Sequence, residues 1–302
     1  MSKISTPAIE KQKLADAKRK RPRVSTPAGE AWRRLVRNKA AVFGMVVIVV
    51  FVLLAIFAGV LTKYEYDDQD YSVILQPPSA EHLMGTDNFG RDILTRILYG
   101  ARVSLPIGIF CVISSLIVGG FLGIVSGYCG GIVESIIMRL SDVFQSIPPM
   151  LLAIAILAAL GNGIVNLIIA NTIATLPLFI RISRAAIYTV KENEFIEASR
   201  AIGAKSFRLM FLHMLPNALG PIIVTATFGV AASILCVSAL SYLGLGIAPP
   251  TAEWGAMLSD AKDYITKAPY FIIFPGVMIM ISVFSINLFG DGLRDALDPR
   301  MK

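Results

Sequence analysis

Six apolar stretches separated by short polar or charged segments set the pattern of the chain. They run Ala40–Thr62, Val103–Val125, Phe144–Leu160, Ile164–Ile180, Asn217–Leu240 and Tyr270–Gly290. A helix needs about 20 apolar residues, with a range of roughly 17–25, to cross a bilayer. Lipid offers no partner for backbone N–H and C=O groups, so such spans close their hydrogen bonds internally as helices. The pattern therefore predicts an all-α polytopic membrane protein with about six transmembrane helices. The third stretch departs from the ideal, because Pro148 and Pro149 near its start break or tilt a first turn. The first exceeds the roughly 7–15 apolar residues of a cleaved signal and is read as a retained span.

Charge gives the spans a direction. With the N-terminus inside, the inner segments 1–39, 126–143, 181–216 and 291–302 carry 22 Lys and Arg; the outer loops 63–102 and 241–269 carry six. That asymmetry places both termini in the cytoplasm. The expected organisation is a basic N-terminal tail (1–39) and a first transmembrane helix (40–62). An external loop with an interfacial helix follows (63–102). A five-helix core (103–290) contains a cytoplasmic loop (181–216), and a cytoplasmic C-terminal tail (291–302) ends the chain.

Composition adds exclusions. Charged residues make up 16% of the 302, against about a quarter in soluble domains. The net charge of +7 is concentrated, with twelve of 28 Lys and Arg in the first 39 residues, which reads as anchoring to a lipid bilayer and argues against nucleic acid. The tail from Lys11 to Arg23 is either solvated or lies on anionic lipid. None of the six cores contains Asp, Glu, Lys, Arg or His. Proton-coupled carriers usually place ionisable groups there, so the energy for transport is expected to come from elsewhere; a neutral pore or a backbone-coordinated ion stays open. Cys111, Cys129 and Cys236 lack metal-site spacing, and His82 and His213 are the only histidines. No metal or cofactor site is expected in the chain. Gly119, Gly123 and Gly127 recur every fourth residue, which puts small residues on one helix face where another helix can approach.

The inner loop 181–216 reads as two short helices. Asn193 is placed as N-cap, Glu194 in the first turn, Gly203 as a left-handed stop, and Ser206 as the next start. Pro216 marks the start of the fifth span. Phe195, Ala198, Ser199 and Ile202 share one face, which needs a cover; Glu192 and Arg200 are left to solvent. The cover is either the same subunit, the lipid surface, or a cytoplasmic partner.

Glu197-Ala198-Ser199, then Gly203, then Leu215-Pro216, resembles the EAA motif of ABC-importer permeases: Glu-Ala-Ala, three residues, Gly, nine residues, Ile, one residue, Leu-Pro. Ser199 replaces the second Ala, and His213 stands at the Ile position. Outside, Gly85-Thr86-Asp87-x-x-Gly90-Arg91-Asp92 resembles the hallmark of the C-type permease of dipeptide, oligopeptide and nickel importers. Ser241 to Gly255 and Asn287 to Arg300 match the same subfamily.

The resemblance implies a type I ABC importer permease fold in a bacterial cell membrane, working with a B-type permease, two ABC ATPase subunits and an external substrate-binding protein. Glu197, Ala198, Ser199, Arg200, Gly203, Leu215 and Pro216 would couple to an ATPase subunit. Gly85, Thr86, Asp87, Gly90, Arg91 and Asp92 would be structural or contact the binding protein. No Gly-x-x-x-x-Gly-Lys-Ser/Thr string is present, so ATP and Mg would be held by the partner ATPases. The implied function is that of a permease subunit for di- or oligopeptides. A nickel or other small-solute importer is the alternative, and a lone secondary carrier, a membrane enzyme and a scaffold are further rivals.

In the outer loop, Ile93, Leu94, Ile97 and Leu98 line one face of an expected interfacial helix capped by Asp87 or Asn88, with Asp87 able to pair with Arg91. Pro249, Pro250 and Trp254 read as a stiff turn and an interfacial aromatic anchor. Asp142 is expected to pair with Arg139 on the inner side.

Overall fold

The computed structural model describes residues 27–298; the readings placed on Lys11–Arg23 and Arg300 lie outside them. Two helices, α1 (Pro27–Arg37) and α2 (Lys39–Ile56), meet at Asn38. Its side-chain oxygen accepts from the N–H groups of Ala40 and Ala41 at 3.1 and 3.2 Å and caps α2.

After a loop, α3 runs from Ile93 to Cys129, 37 residues, which is about 55 Å of helix against roughly 30 Å of hydrocarbon. It fuses the expected second span with residues 93–102. That segment is not the interfacial helix its apolar stripe suggested. Ile93, Thr95, Arg96, Ile97 and Leu98 are all buried, so protein surrounds it, and the cap is Asp92 rather than Asp87 or Asn88.

The third expected span is a bent pair. Helices α4 (Gly131–Gln145) and α5 (Pro149–Leu160) meet at 84°, so Phe144 and Gln145 belong to the preceding helix. The 12 residues of α5 reach only about 18 Å. Among the described residues, five helices are long and apolar enough to cross a membrane, or six if the bent pair counts as one span.

The remaining helices are α6 (Ile164–Lys191), the short α7 (Glu194–Ala201), α8 (Leu215–Tyr242), α9 (Trp254–Ala261) and α10 (Pro269–Leu297). One helical turn, Ser206–Arg208, and a π-helical turn, Leu209–Met214, run into α8 without a gap. Pro216 therefore lies inside a continuous helix, directly after the π-helical turn and second in α8. The carbonyl of His213 accepts from the side-chain amide of Asn217 at 2.7 Å.

The core is built on α3 against α6. A methyl added to Gly119 would lie 2.9 Å from the carbonyl oxygen of Leu176, and one on Gly127 2.8 Å from that of Arg184. One on Gly123 would collide with the carbonyl of Ile180. The glycine stripe thus meets α6 backbone to backbone over two turns. Side-chain layers stack along this seam. Phe51, Ile97, Trp254 and Phe271 fill one end, Cys111, Leu157, Leu167 and Leu240 a middle layer, and Ile124, Ile187, Met214 and Ile222 the α7 end. On α4, Asp142 pairs with Arg181 at 2.5 Å, not with Arg139, whose Nε instead donates to Ser135 Oγ at 3.4 Å.

Gly123→Ala should cost about 1–3 kcal/mol, the usual range for overpacking. Gly220→Ala, at a helical glycine with nothing within 4 Å of an added methyl, should be neutral or stabilise by up to about 1 kcal/mol. Thermal unfolding of the two purified variants in one detergent checks the contrast.

Candidate functional site

Two constellations sit at opposite ends of the bundle. At one end, α7 follows α6 after only Glu192 and Asn193. Asn193 occupies the N-cap position but makes no side-chain capping bond, while Glu194 and Glu197 lie in the first turn, where the helix dipole favours negative charge. The helix stops in a Schellman arrangement: Gly203 N–H donates to Arg200 C=O at 3.0 Å and Ala204 N–H to Ser199 C=O at 3.1 Å. Gly203 has φ +87°, a conformation only glycine adopts without cost.

One residue anchors α7. Ile196 is fully buried among Ile187, Val190 and Met214. The stripe expected on the other face is uncovered by this chain: Phe195, Ala198 and Ile202 are exposed, Ile202 at 86%. Ser199 is half-buried, its hydroxyl returned to Phe195 C=O at 2.7 Å. Glu197 and Arg200 are exposed, Pro216 likewise, and Leu215 is half-buried. Phe207, 67% exposed, extends the apolar surface beyond Gly203. The result is a firmly terminated eight-residue helix with acidic, basic and apolar groups facing outward.

At the opposite end, Gly85, Thr86, Asp87, Gly90, Arg91 and Asp92 form a tight knot over the start of α3. Asp87 Oδ2 pairs with Arg91 Nε at 2.6 Å and lies 3.5 Å from Arg96 Nε, and Arg91 Nη2 reaches Asp260 on α9 at 3.2 Å. Asp92 Oδ2 accepts from Thr95 N–H at 2.7 Å, and its Oδ1 lies 3.0 Å from His82 Nδ1. Gly85 and Gly90 have φ +78° and +74°, and a side chain on Gly90 would run into the carbonyl of Asp70. Thr86, Asp87, Arg91 and Asp92 are buried, so these motif side chains point into the protein.

Before the knot, Tyr64 stacks on His82 and the Tyr66 ring lies tilted against Tyr99, centroids 5.2 Å apart, while Asp67, Asp68, Asp70 and Tyr71 are exposed. Trp254 is no surface anchor: it is fully buried and donates from Nε1 to Ile97 C=O at 3.0 Å. Beside it Glu253 caps α9, accepting from Gly255 and Ala256 N–H at 2.8 Å each. Burial pushes the Glu253 carboxyl up, against hydrogen bonds that pull it down. Burial also raises Asp260, opposed by Arg91 and Arg96.

The family profile for the binding-protein-dependent transport system inner membrane component matches residues 119–302. The chain belongs to that family. A second profile, the N-terminal TM domain of oligopeptide transport permease C, matches residues 26–78 of the permease. The permease is 49% identical over 277 residues to the dipeptide transport system permease protein DppC of Alkalihalophilus pseudofirmus, covering 92% of this chain and 91% of that one. It is 44% identical over 283 residues to a di/tripeptide permease of Pseudomonas aeruginosa (92% and 93% covered) and 40% identical over 273 residues to an oligopeptide permease of Bacillus subtilis (90% of each). A structure of the MetNI methionine ABC transporter in inward-facing conformations aligns with TM-score 0.56 and 20% identity, over 67% of the permease and 96% of the matched chain. The fold is that of a type I ABC importer permease.

Sequence reasoning missed Arg96, Glu253, Asp260 and Ile196 in these constellations. Arg96 carried a signal, a cation flanked by Leu94, Ile97 and Leu98; Asp260 carried none, since its partner lies 169 residues away.

Asp87→Ala leaves Arg91 and Arg96 buried beside an uncompensated site and should destabilise the permease by about 3–5 kcal/mol. Asp263→Ala, at an exposed carboxylate two residues beyond α9, should stay within about 0.5 kcal/mol. Melting temperatures of the purified variants decide it.

Proposed function

We propose that this permease is one of two membrane subunits of a peptide importer. It forms half of the translocation pathway and takes its driving force from a separate ATPase through α7. Both ends of the described chain would lie on the cytoplasmic side with α7. The partners are a B-type permease, two ABC ATPase subunits that hold ATP and Mg, and an external binding protein that delivers substrate. The permease itself would perform no covalent chemistry.

The observation that carries this reading is the exposed face of α7: a helix whose own subunit buries one side chain and leaves Phe195, Ala198 and Ile202 in the open is built to enter a groove elsewhere. Glu197 and Arg200 stand beside that face, suited to polar contacts at the groove's rim. Peptides are favoured as substrate because the named relatives at 40–49% identity are dipeptide, di/tripeptide and oligopeptide permeases.

When the ATPases close on ATP, α7 is pushed, and α6 and α8, which flank it in the chain, move with it to open the pathway outward; hydrolysis resets it. Gly203→Pro cannot hold φ +87°, and Glu197→Lys reverses the charge at the helix start. In the reconstituted assembly of all five subunits, each should reach the membrane normally, retain ATP hydrolysis, and lose peptide uptake roughly 5–150-fold, the span of a 1–3 kcal/mol coupling. Wild-type uptake by both variants would remove α7 from the coupling path. Wild-type coupling with an assembly that imports no di- or oligopeptide would overturn the substrate class alone.

A further inference from the structure

Helix α1 has three faces. Ala31 and Leu35 pack on Leu293 and Ala296 of α10, with Arg34 donating from Nη1 to the Asp298 carbonyl at 3.4 Å. About 100° round the helix, Trp32 and Val36 form an apolar pair, 57% and 47% exposed. A further 100° on, Arg33 and Arg37 stand one above the other, exposed, and exposed Lys39 begins α2 two residues later. None of these three cations has an ion-pair partner among the described residues.

We propose that α1 is an interfacial helix: Trp32 and Val36 seat in the headgroup region of the bilayer, and Arg33, Arg37 and Lys39 bind the phosphates of anionic lipid. Continuity supports lipid as the occupant. Asn38 alone separates α1 from α2, whose outward side chains Phe43, Val46 and Val50 are exposed apolar groups on a membrane span. The apolar pair of α1 therefore emerges at the point where the hydrocarbon surface ends. An indole with one polar N–H on a large apolar body suits that depth. A basic face beside an apolar stripe is the pattern of helices that lie in the plane of an anionic surface. The opposite face is already fixed to α10, so binding lipid orders nothing new at the helix and holds the inner ends of α2 and α10 at a set height.

The test uses the full-length permease in nanodiscs. Its two tryptophans are Trp32 and the fully buried Trp254, so the difference between wild type and Trp32→Phe isolates the Trp32 emission. Brominated phosphatidylglycerol diluted in phosphatidylcholine should quench Trp32 more than brominated phosphatidylcholine at the same mole fraction, and acrylamide in the aqueous phase should quench it little. Replacing Arg33 and Arg37 together by Gln should reduce the phosphatidylglycerol preference roughly fivefold per charge while leaving the melting temperature unchanged. Equal quenching by the two brominated lipids would overturn the anionic preference. Free access of acrylamide, or lipid quenching that vanishes when the ATPase and second permease are added, would overturn the proposal by assigning the face to water or to protein.

Discussion

The close approach of α3 and α6 is the constraint on which the remaining architecture rests. Three glycines bring two backbones together with no side chain between them, and a seam without flexible filler transmits displacement instead of absorbing it. The Gly85–Asp92 knot is fastened to the first turn of α3 through Asp92 and Arg96. The exposed α7 is fastened to the last turn of α6 by a two-residue link. At the α7 end, Lys191 Nζ donates to Tyr128 C=O at 2.7 Å and closes the seam. The two constellations are therefore the two ends of one close-packed unit.

The segment after Gly203 is built differently. From Ser206 the chain is helical through to Tyr242, with a π-helical turn directly before Leu215 and Pro216. Displacement at Phe207 is carried directly into α8. That helix, with α6 and α10, borders a cavity of about 620 Å³ lined in part by Asn217, Thr225 and Arg294.

Legibility in the sequence followed the range of the interactions. Apolar runs and the four-residue glycine spacing are local, and they gave five spans, the bent third and the face of α3 that another helix approaches; that this helix is α6 came from the structure. The stop at Gly203 was legible for the same reason, because a left-handed residue declares itself by type. Motif spacing led to the family. What stayed hidden depended on partners far along the chain. Trp254 was read by its chemistry as a surface group and Arg96 was given no place, yet the Ile97 carbonyl holds the first inside, and the Tyr66 carbonyl and Asp87 carboxylate hold the second. Burial of Ile196 rather than Phe195 depended on where α7 lands on α6, which no periodicity in eight residues fixes.

The sharp corner between α4 and α5 has a consequence in donor accounting. A helix beginning at membrane depth presents four amide hydrogens that no turn beneath it can receive, each costly away from water. Pro148 and Pro149 have no such hydrogen, the amide of Ile147 is turned back to Phe144 C=O at 3.4 Å, and that of Leu152 reaches Pro148 C=O at 3.0 Å. Only Met150 and Leu151 are left to find partners. The paired rings thus do more than bend the chain: they let a short apolar helix start with half the usual number of open donors.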